Sequence, residues 1–583
     1  MPLNAMMMCT SLTAPALSAG PRARAANSTG ARPLGRRMRT RSCCTRAEAA
    51  SPPPGPAGEG YAPARAQDTQ SAGAGWRRAA PAPPQAAATL NQAPPAPQAR
   101  APAPAPAPQA AGEPAAAFDW AKQWYALAVV SDLDPRKPFA TKLLGREIVI
   151  WRDGGGEWRA LEDRCPHKLA PLSEGRIEPS DGTLQCSYHG WRFAGDGRAA
   201  AIPQARFDSP KAEATACGTR RACVKAYPTA VAWNTLFVWA DAGPGAAAEA
   251  AARPLPISPR VAELKPEEVV ASISQYYARE FPLSHDILVE NISDQSHVPW
   301  AHHGVAHSRA SPYSSHFVVS DVNRDLAPGE DGYSFRLQWS PDARSPPIDQ
   351  IVKFTPPGHL EYVTEGEGGK FTALWFHITP LDDNATLVIN HGVSTRPLLV
   401  PAPLLKLLAL RPAWLDHLVL SEVFDGDLPN LIKGAYHSKQ GDPLGHGWAR
   451  AYFLPATADR SVLAMRRWYQ GRGRGGFAAA EGRAPAPPPA ALPRAELLDR
   501  RRQHVCRCKS CSQALQQLGA AQTALKALSA AGLLAAAAAL GGGAGAAAAA
   551  APAAAGVAAA WAASKAAAAE ALFGFKDYDH SAR

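Results

Sequence analysis

The sequence predicts an α+β protein with a β-rich domain, a second domain of mixed strands and helices, and an apolar helical segment near its C-terminal end. Residues 118–241 alternate short β-type runs with turn residues. Residues 253–475 mix strands with a helical stretch near 402–436, and residues 527–564 contain no charged side chain. A chain of 583 residues also exceeds the usual size of a single hydrophobic core, so at least two domains are expected.

The first 117 residues are predicted to lie outside the folded domains. Residues 1–47 hold eight arginines, no lysine and no acidic residue, a composition typical of an organelle transit peptide. They contain no unbroken apolar core of the kind that a secretory signal needs, and an unstructured tail is the alternative interpretation. Residues 48–117 are rich in proline and alanine, which favour extended polyproline geometry, and are predicted to form a disordered linker.

The net charge of +11 is concentrated in the predicted transit peptide, which supplies +8 of it. From Glu48 onward, 53 basic residues stand against 50 acidic ones. A nearly neutral body does not have the basic surface that polyanion binding requires, so no nucleic-acid partner is expected.

The β-rich domain, residues 118–241, contains two segments that each carry one cysteine and one histidine. Cys165 and His167 are followed, after 18 residues, by Cys186 and His189. A [2Fe–2S] cluster needs four protein ligands, and in the Rieske type two histidines replace two cysteines on one iron. The two cysteines are therefore predicted to bind one iron and the two histidines the other. Structural zinc is the alternative, although zinc fingers place the two cysteines together and the two histidines together.

The mixed domain, residues 253–475, contains a second histidine cluster. His297 and His302 lie five residues apart, about 140° around a regular helix, and Pro299 between them permits a break in that helix. Two histidines and a carboxylate on one face of a metal ion leave open positions, the arrangement of non-haem Fe(II) oxygenases. The sequence therefore predicts a mononuclear iron site that accepts electrons from the [2Fe–2S] cluster.

The third ligand of this iron is expected from a distant carboxylate. Asp425 and Asp427 flank a glycine in the helical stretch. Asp427 is the favoured ligand because it precedes residues that continue a helix, and Asp425 is the fallback. Spacing alone supports this choice.

The C-terminal part is predicted to combine a linker and a membrane anchor. The glycine- and arginine-rich residues 471–476 read as a flexible loop, and 476–525 as a linker that contains Cys508 and Cys511. The favoured role of this cysteine pair is a reversible disulfide that thioredoxin reduces. A zinc site completed by His504 and Cys506, and an inert loop, are the alternatives.

Residues 527–569 include the uncharged, alanine-rich run 527–564 and are predicted to form the membrane anchor. A single span needs about 20 residues, so the length permits one long span or two tight spans broken near Pro552. An alanine-rich low-complexity tail is the alternative.

These motifs together carry a family resemblance. The pattern Cys-x-His, 18 residues, Cys-x2-His, and then Asn-x2-Asp-x2-His-x4-His resembles the α-subunit of Rieske non-haem iron oxygenases. More narrowly, residues 165–177, 297–303, 499–511 and 575–580 resemble the chloroplast pheophorbide a oxygenase group. The resemblance covers residues 118–583 in patches. It implies a helix-grip fold for the second domain and a plastid membrane location, either the inner envelope or the thylakoid.

The resemblance also implies roles for single residues. His297, His302 and, by position, Asp427 would hold the catalytic Fe(II), with Asn291 close to it. Related oxygenases are trimeric, and the aspartate that matches Asp294 connects the two metal centres across the subunit boundary. This implies that His189 is the partner of Asp294 and that the chain forms a homo-trimer.

The resemblance further implies a reaction class, because members oxygenate chlorophyll-derived tetrapyrroles with O₂ and electrons from ferredoxin. The chain shows no convincing nucleotide-binding fingerprint, so its reductant is expected to be a separate protein. A redox-sensing component of the envelope import machinery is the alternative function. A pure electron carrier is disfavoured because it would leave Asp294, His297 and His302 without a role, and a chlorophyllide a oxygenase is disfavoured because the cysteine pair and the apolar tail resemble the pheophorbide group.

Overall fold

The structure is a computed structural model that describes residues 117–305, 308–309, 317–326, 331–340, 347–396, 411–440 and 447–582. The predicted transit peptide and nearly all of the predicted disordered linker lie outside the described residues.

The first domain is built from short antiparallel strands. Within the described residues they form a sheet in the order β1-β11-β10 and two sheets of four strands, β2-β3-β4-β9 and β5-β6-β7-β8. The strands are β1 Trp124–Val129, β2 Phe139–Leu143, β3 Arg146–Arg152, β4 Trp158–Glu162, β5 Arg176–Ile177, β6 Leu184–Gln185, β7 Arg192–Phe193, β8 Ala199–Ala201, β9 Ala226–Tyr227, β10 Thr229–Ala232 and β11 Thr235–Trp239. Two short helices, α1 Pro203–Asp208 and α2 Pro210–Cys217, follow β8. The small β5–β8 sheet lies between and after the two predicted ligand segments and so positions them.

The second domain is an antiparallel sheet accompanied by one long helix. Within the described part of the chain, the strand order in this sheet is β12-β18-β17-β16-β15-β14-β13. The first strand, β12, therefore pairs with the last strand of the domain, β18. The strands are β12 Ala271–Phe281, β13 Phe317–Ser320, β14 Tyr333–Trp339, β15 Ile348–Thr355, β16 His359–Glu365, β17 Phe371–Asp382 and β18 Ala385–Ser394. The helices are α3 Ala246–Ala252, α4 Pro259–Ala262, α5 His285–Ser293, α6 Val298–Ala301, α7 Ala413–Lys439, α8 Trp448–Ala451, α9 Arg460–Gln470 and α10 Phe477–Ala480. The long helix α7 packs against β12, in agreement with the predicted helix-grip arrangement.

One hydrophobic core connects the two domains. Its buried members include Leu127 of β1, Phe237 of β11, Phe335 of β14, Ile389 of β18 and Leu428 of α7. Burial of this apolar surface supplies the main driving force for holding the two domains together. The relative position of the two domains is therefore part of the folded structure.

The glycine- and arginine-rich segment 471–476 is a packed turn, so its prediction as a flexible loop is wrong. The carbonyl oxygen of Arg472 accepts a hydrogen bond of 2.9 Å from the backbone nitrogen of Phe118. The indole nitrogen of Trp120 donates to the carbonyl oxygen of Gly473 at 3.0 Å, and Arg472 pairs with Asp331 at 2.7 Å. Aromatic residues at the start of the first domain cover this turn, a contact that the local composition does not reveal.

The C-terminal part is largely helical, which differs from the predicted linker over 476–525. Its helices are α11 Arg494–Leu497, a π-helical turn Arg501–Val505, α12 Lys509–Gly541 and α13 Gly545–Ala571. Helix α12 begins 18 residues before the predicted start of the anchor at 527. The break between α12 and α13 falls at glycines 542–543, while Pro552 lies inside α13.

Helices α12 and α13 pack against each other along their length. A Cβ atom added to Gly532 would lie 2.8 Å from the Cα of Gly556, so both positions require glycine for this close approach. Both helices are long and apolar enough to cross a membrane. The structure thus favours the prediction of two tight spans over one long span.

Candidate metal centres

The two Rieske-type segments of the first domain have the same backbone geometry. The backbone nitrogen of Cys165 donates to the carbonyl oxygen of Ala170 at 2.8 Å, and that of Cys186 donates to Trp191 at 2.8 Å. The nitrogens of Leu169 and Gly190 return hydrogen bonds to the carbonyl oxygens of the two cysteines. Each segment is therefore a tight loop, which a hydrogen bond closes between the cysteine and the residue five positions later. Two matching loops of this kind are expected where both hold one iron–sulfur cluster.

The side chains of these loops fit a [2Fe–2S] cluster of the Rieske type. Cys165 and Cys186 are both buried, whereas His167 and His189 are partly exposed, and the two histidine rings lie 4.4 Å apart. The Nδ1 atom of His167 is buried and has no hydrogen-bond partner among the described residues. Burial and the neighbouring His189 lower the pKa of His167, so its ring is neutral at neutral pH, the form that binds a metal.

Neighbouring side chains orient the two histidine rings. The ring of Trp191 stacks on His167 with centroids 4.9 Å apart and planes within 5°. Gln204 donates to the carbonyl oxygen of His189 at 2.9 Å and accepts from the indole nitrogen of Trp191. These contacts connect both ligand loops and restrict the orientation of the histidines, which is the function that groups behind metal ligands serve.

The second predicted centre forms where α6 meets α7. His297 is the N-cap of the four-residue helix α6, and His302 is its C-cap. The two histidines therefore lie at the two ends of one short helix. The Nε2 atoms of both histidines lie 3.5 Å from Oδ1 of Asp427 on α7. One ligand atom from each of the three residues lies within 4.8 Å of the others.

These three residues fit a mononuclear iron in chemistry as well as in position. Two imidazoles and one carboxylate are the donor set of non-haem Fe(II) sites with open positions. Burial lowers the pKa of His302, which keeps this ring neutral and able to bind a metal. The amide nitrogen of Asn291 on α5 donates to Oδ2 of Asp427 at 3.2 Å, which leaves Oδ1 directed at the histidines.

The alternative ligand Asp425 lies elsewhere. Its carboxylate is fully buried and pairs with Arg279 at 2.7 Å and with Arg500 at 2.7 Å. Both of its oxygens are therefore occupied by guanidinium groups. The structure brings Asp427, and not Asp425, to the two histidines.

The C-terminal tail closes over the same helices, a contact that sequence reasoning missed. The hydroxyl of Tyr578 donates to the carbonyl oxygen of Ala301 at 2.6 Å. A Cβ atom added to Gly426 would lie 2.8 Å from that oxygen and 2.9 Å from the Tyr578 ring. The glycine between the two aspartates therefore permits α6, α7 and the tail to meet beside the predicted iron ligands. The only signal of this contact in the sequence is the aromatic residue Tyr578 after the apolar helices.

Asp294 lies beside the same site. It is the residue after α5, its Oδ1 accepts hydrogen bonds from the backbone and the hydroxyl of Ser296, and its Oδ2 is 3.9 Å from Nδ1 of His297. Its predicted partner His189 belongs to the first domain. The carboxylate thus contacts the ring of a predicted iron ligand on the side away from Asp427.

The cysteine pair is not on a linker. Cys508 and Cys511 are buried at the start of α12 and are free thiols. His417 of α7 and His504 of the π-helical turn complete a second group of ligand-type side chains with them. Of the two residues predicted to accompany the pair in a zinc site, His504 is present, while His417 takes the place of Cys506. No spacing rule connects His417 to Cys508 and Cys511, which are 91 and 94 positions away, so only the fold reveals it.

Comparisons with known proteins agree with these two iron centres. Residues 123–227 match the Rieske [2Fe-2S] domain family. The chloroplastic pheophorbide a oxygenase of Oryza sativa subsp. japonica is 33% identical over 414 residues, which cover 68% of this chain and 73% of that protein. The chain belongs to the pheophorbide a oxygenase-like group of Rieske oxygenases.

Other relatives in this pheophorbide a oxygenase-like group carry different names. Flavonoid 8-hydroxylase 2, chloroplastic, of Ocimum basilicum is 30% identical over 430 residues, which cover 71% of this chain and 77% of that protein. Protochlorophyllide-dependent translocon component 52, chloroplastic, of Arabidopsis thaliana is 27% identical over 468 residues, which cover 72% of this chain and 78% of that protein. The names in this group thus include oxygenases, a hydroxylase and a translocon component.

Membership of the group confirms the predicted monooxygenase class and the two predicted cofactors. The chain is a Rieske monooxygenase with a [2Fe–2S] cluster and a mononuclear non-haem iron. The assignment of single ligands stays a prediction that the geometry described above supports.

Proposed function

We propose that this chain is a chloroplast membrane monooxygenase that oxygenates a chlorophyll-derived tetrapyrrole with O₂ and electrons from ferredoxin. The observation that carries the proposal is the meeting of His297, His302 and Asp427 in one group, in a chain that also holds a Rieske domain. A carrier of electrons alone has no use for a second site with open positions.

Each residue of the proposed active site has a separate task. When bound, the two metal groups supply one-electron transfer and the activation of O₂. His297, His302 and Asp427 would hold the mononuclear ion, and a set of only three protein ligands would leave positions for O₂ and substrate. Asn291 holds one oxygen of Asp427 and prevents rotation of the carboxylate. Burial of His302 keeps water away from that ligand.

Electron transfer is proposed to occur between subunits of a homo-trimer. The tip of the Rieske loops is exposed, with Tyr188 62% and Leu169 66% accessible. An exposed apolar rim beside partly exposed histidines supports docking of the cluster on another subunit. Asp294, beside His297, is proposed to receive His189 of the neighbouring subunit and to connect the two centres through hydrogen bonds.

Substrate and location are proposed from the relatives together with the apolar hairpin. The names of the relatives described above place them in the chloroplast, and two of the three refer to chlorophyll-type tetrapyrroles. Helices α12 and α13 are suited to hold the chain at a membrane, where an apolar pigment is available. The predicted transit peptide is consistent with the same compartment.

The predicted thioredoxin partner and the import role stay alternatives. Both thiols of the cysteine pair are almost inaccessible, so disulfide exchange with thioredoxin would first require the start of α12 to open. An import component would need no pigment-dependent O₂ consumption. A measurement of O₂ consumption with a pigment substrate therefore distinguishes the monooxygenase from the import component.

The test is O₂ uptake by the detergent-purified, reconstituted protein with reduced ferredoxin. Pheophorbide a, chlorophyllide a, protochlorophyllide and a flavone are supplied one at a time, and the product is analysed by mass. We expect uptake and a mass gain of one oxygen atom with a tetrapyrrole. Turnover of the flavone alone would overturn the substrate class, and ferredoxin oxidation that no compound accelerates would favour the import role.

The matched control is His297→Ala. The purified wild-type protein is expected to contain about three irons and two acid-labile sulfides per chain, one Rieske cluster plus one mononuclear ion. The variant should lose one iron, keep the Rieske visible spectrum and show no turnover, because the two centres share no ligand. Loss of the Rieske spectrum would contradict the separation of the two sites.

A further inference from the structure

Four buried side chains outside both iron centres converge on one point. His417 lies on α7, His504 lies on the π-helical turn, and Cys508 and Cys511 flank the first turn of α12. They are 2%, 1%, 3% and 1% exposed, respectively. One ligand-type atom from each residue lies within 4.8 Å of those of the other three.

The distances within this group match those between ligands of one tetrahedral ion. Nδ1 of His417 is 3.4 Å from Sγ of Cys508 and 3.4 Å from Sγ of Cys511. Nε2 of His504 is 3.3 Å from Sγ of Cys511. Zinc–sulfur bonds of about 2.3 Å and zinc–nitrogen bonds of about 2.0 Å, at tetrahedral angles, place sulfur and nitrogen ligands about 3.5 Å apart.

Hydrogen bonding alone explains this arrangement less well. The thiol of Cys511 has one proton and lies within 3.4 Å of two imidazole nitrogens. It can donate that proton to only one of them, so without an ion the second imidazole has to donate to sulfur, which is a weak acceptor. An ion in the centre satisfies both nitrogens and both sulfurs at once.

Backbone contacts prepare His504 and Cys508 as ligands. Nδ1 of His504 is 2.7 Å from the carbonyl oxygen of Ala278. A carbonyl only accepts, so the proton resides on Nδ1 and the lone pair of Nε2 faces the sulfurs, as in metal-bound histidines. Cys508 is the N-cap of α12, and its sulfur accepts a hydrogen bond from the backbone nitrogen of Cys511 at 3.5 Å. The N-terminal end of a helix favours the thiolate form that binds zinc.

A mostly apolar shell surrounds the group, and the carboxylate of Asp132 beside Cys508 is its polar member. The ring of Tyr277 stacks on His504 with centroids 4.3 Å apart. Val505, Ala514 and Phe573 are buried in the same cluster as the two cysteines, and Trp414, Leu418, Leu515 and Leu518 pack against it. Such a shell excludes water, which is the setting of a structural metal site.

We propose that His417, His504, Cys508 and Cys511 form a structural zinc site. Two thiolates and two imidazoles fill all four positions of a tetrahedral ion, so no position stays open for catalysis. Harder cations such as Mg²⁺ prefer oxygen ligands, which this group does not offer. The proposal assigns the cysteine pair to metal binding in place of the predicted redox role, because zinc-bound thiolates cannot at the same time form a disulfide.

The site would connect the apolar hairpin to the catalytic domain. Cys508 and Cys511 start α12, whereas His417 lies on α7, ten residues before Asp427. Ten residues of α-helix span about 15 Å. Zinc would therefore hold the base of the hairpin against α7, the helix that carries the predicted carboxylate ligand of the iron. A second contact at this base is the hydrogen bond of 2.9 Å that the backbone nitrogen of Lys509 donates to Oδ1 of Asp132 in the first domain.

The test is metal analysis of the full-length protein, purified in detergent without added zinc. We expect about one zinc per chain in addition to the iron, and a zinc-edge X-ray absorption spectrum with two sulfur and two nitrogen ligands. Cys511→Ser and His417→Ala are expected to lose the zinc, while the control Cys506→Ser, a neighbouring cysteine outside the group, keeps it.

A second measurement uses the wild-type protein and therefore tests the site even if the ligand variants do not fold. Wild-type protein from cells supplied with Co²⁺ should show the absorption bands of tetrahedral cobalt with thiolate ligands. Zinc-free protein with a complete Rieske spectrum would overturn the proposal, as would an additional iron that disappears in Cys511→Ser. A Cys508–Cys511 disulfide that thioredoxin reduces, in zinc-free protein, would also overturn it and return the pair to a redox role.

Discussion

At the scale of single residues, Asp425 and Asp427 show how two identical side chains take different roles. They are two positions apart on α7, which turns them about 200° from each other around the helix. Asp425 faces Arg279 and Arg500 in the protein interior, and Asp427 faces His297 and His302. Helix geometry, and not residue type, separates a structural carboxylate from a candidate ligand.

The first prediction compares these two aspartates. Asp427→Ala should lose the mononuclear iron and leave the fold intact. Asp425→Ala should keep the iron but lower the free energy of unfolding by about 3–5 kcal/mol, because it leaves two buried guanidinium groups without their partner. Iron content and denaturant unfolding measure the two effects. Iron loss in Asp425→Ala with retention in Asp427→Ala would reverse the assignment.

The second prediction concerns the residue that positions Asp427. Asn291→Ala removes the hydrogen bond to Oδ2 of the carboxylate and no ligand atom. The affinity of the mononuclear site for iron should fall about 10–100-fold, the usual effect of losing a group behind a metal ligand. Iron titration of the apo-site gives the value. Asn234→Ala, in a first-domain turn where the amide bonds Ser131, is the control and should bind iron as the wild type does.

At the scale of secondary structure elements, the close contact between α12 and α13 depends on small residues. Gly532 and Gly556 face each other at the point where the backbones approach most closely among the described glycines of the hairpin. Where lipid surrounds the helices, packing between them has to replace the hydrophobic effect as the driving force. The glycines therefore stabilise the hairpin by allowing backbone contact.

The third prediction tests this contact. Gly532→Leu should lower the thermal unfolding midpoint in detergent, because overpacking costs about 1–3 kcal/mol. Gly519→Leu, on the same helix, is the matched control, since nothing lies within 4 Å of its added Cβ. Circular dichroism on heating measures both variants. Equal midpoints would show that the helices do not pack as described.

At the scale of the whole molecule, the arrangement of the two iron centres raises the question of how electrons pass between them. The Rieske loops end in exposed residues, whereas the mononuclear site is surrounded by α5, α6, α7 and the C-terminal tail. Asp294 lies at the edge of that site, 27% accessible in its side chain. A partly exposed carboxylate beside a predicted ligand histidine is suited to the proposed contact with another subunit.

The fourth prediction concerns this carboxylate. Asp294→Asn should keep both metal centres but stop turnover, because it removes a charged hydrogen-bonding group and no ligand. Metal analysis and the rate of cluster oxidation after mixing with O₂ and substrate provide the measurement. Cluster oxidation at the wild-type rate would exclude Asp294 from the electron path.

Local sequence determined the class of the protein and much of its chemistry. The two Cys/His segments lie close together in the chain, and each loop is closed by hydrogen bonds within six residues, so their spacing was sufficient to predict the cluster. His297 and His302 are likewise near neighbours in the chain, so the pair was visible in the sequence, but the expected break at Pro299 is wrong because Pro299 lies inside α6, which ends at Ala301. The apolar run predicted an apolar helical C-terminal segment because hydropathy is a property of local composition, but the expected break near Pro552 is wrong, since the chain turns at glycines 542–543.

Only the tertiary structure decided which distant residues join these groups. Spacing favoured Asp427 over Asp425, but only the placement of α7 beside α6 shows which of the two faces the histidines, since both share the same local context. His417 reaches Cys508 and Cys511 only because α7, the π-helical turn and α12 pack at one point. Segment 471–476 is held by Phe118 and Trp120, more than 350 residues away in the chain. Side-chain contacts of this kind depend on how whole elements pack, and neither spacing nor composition contains that information.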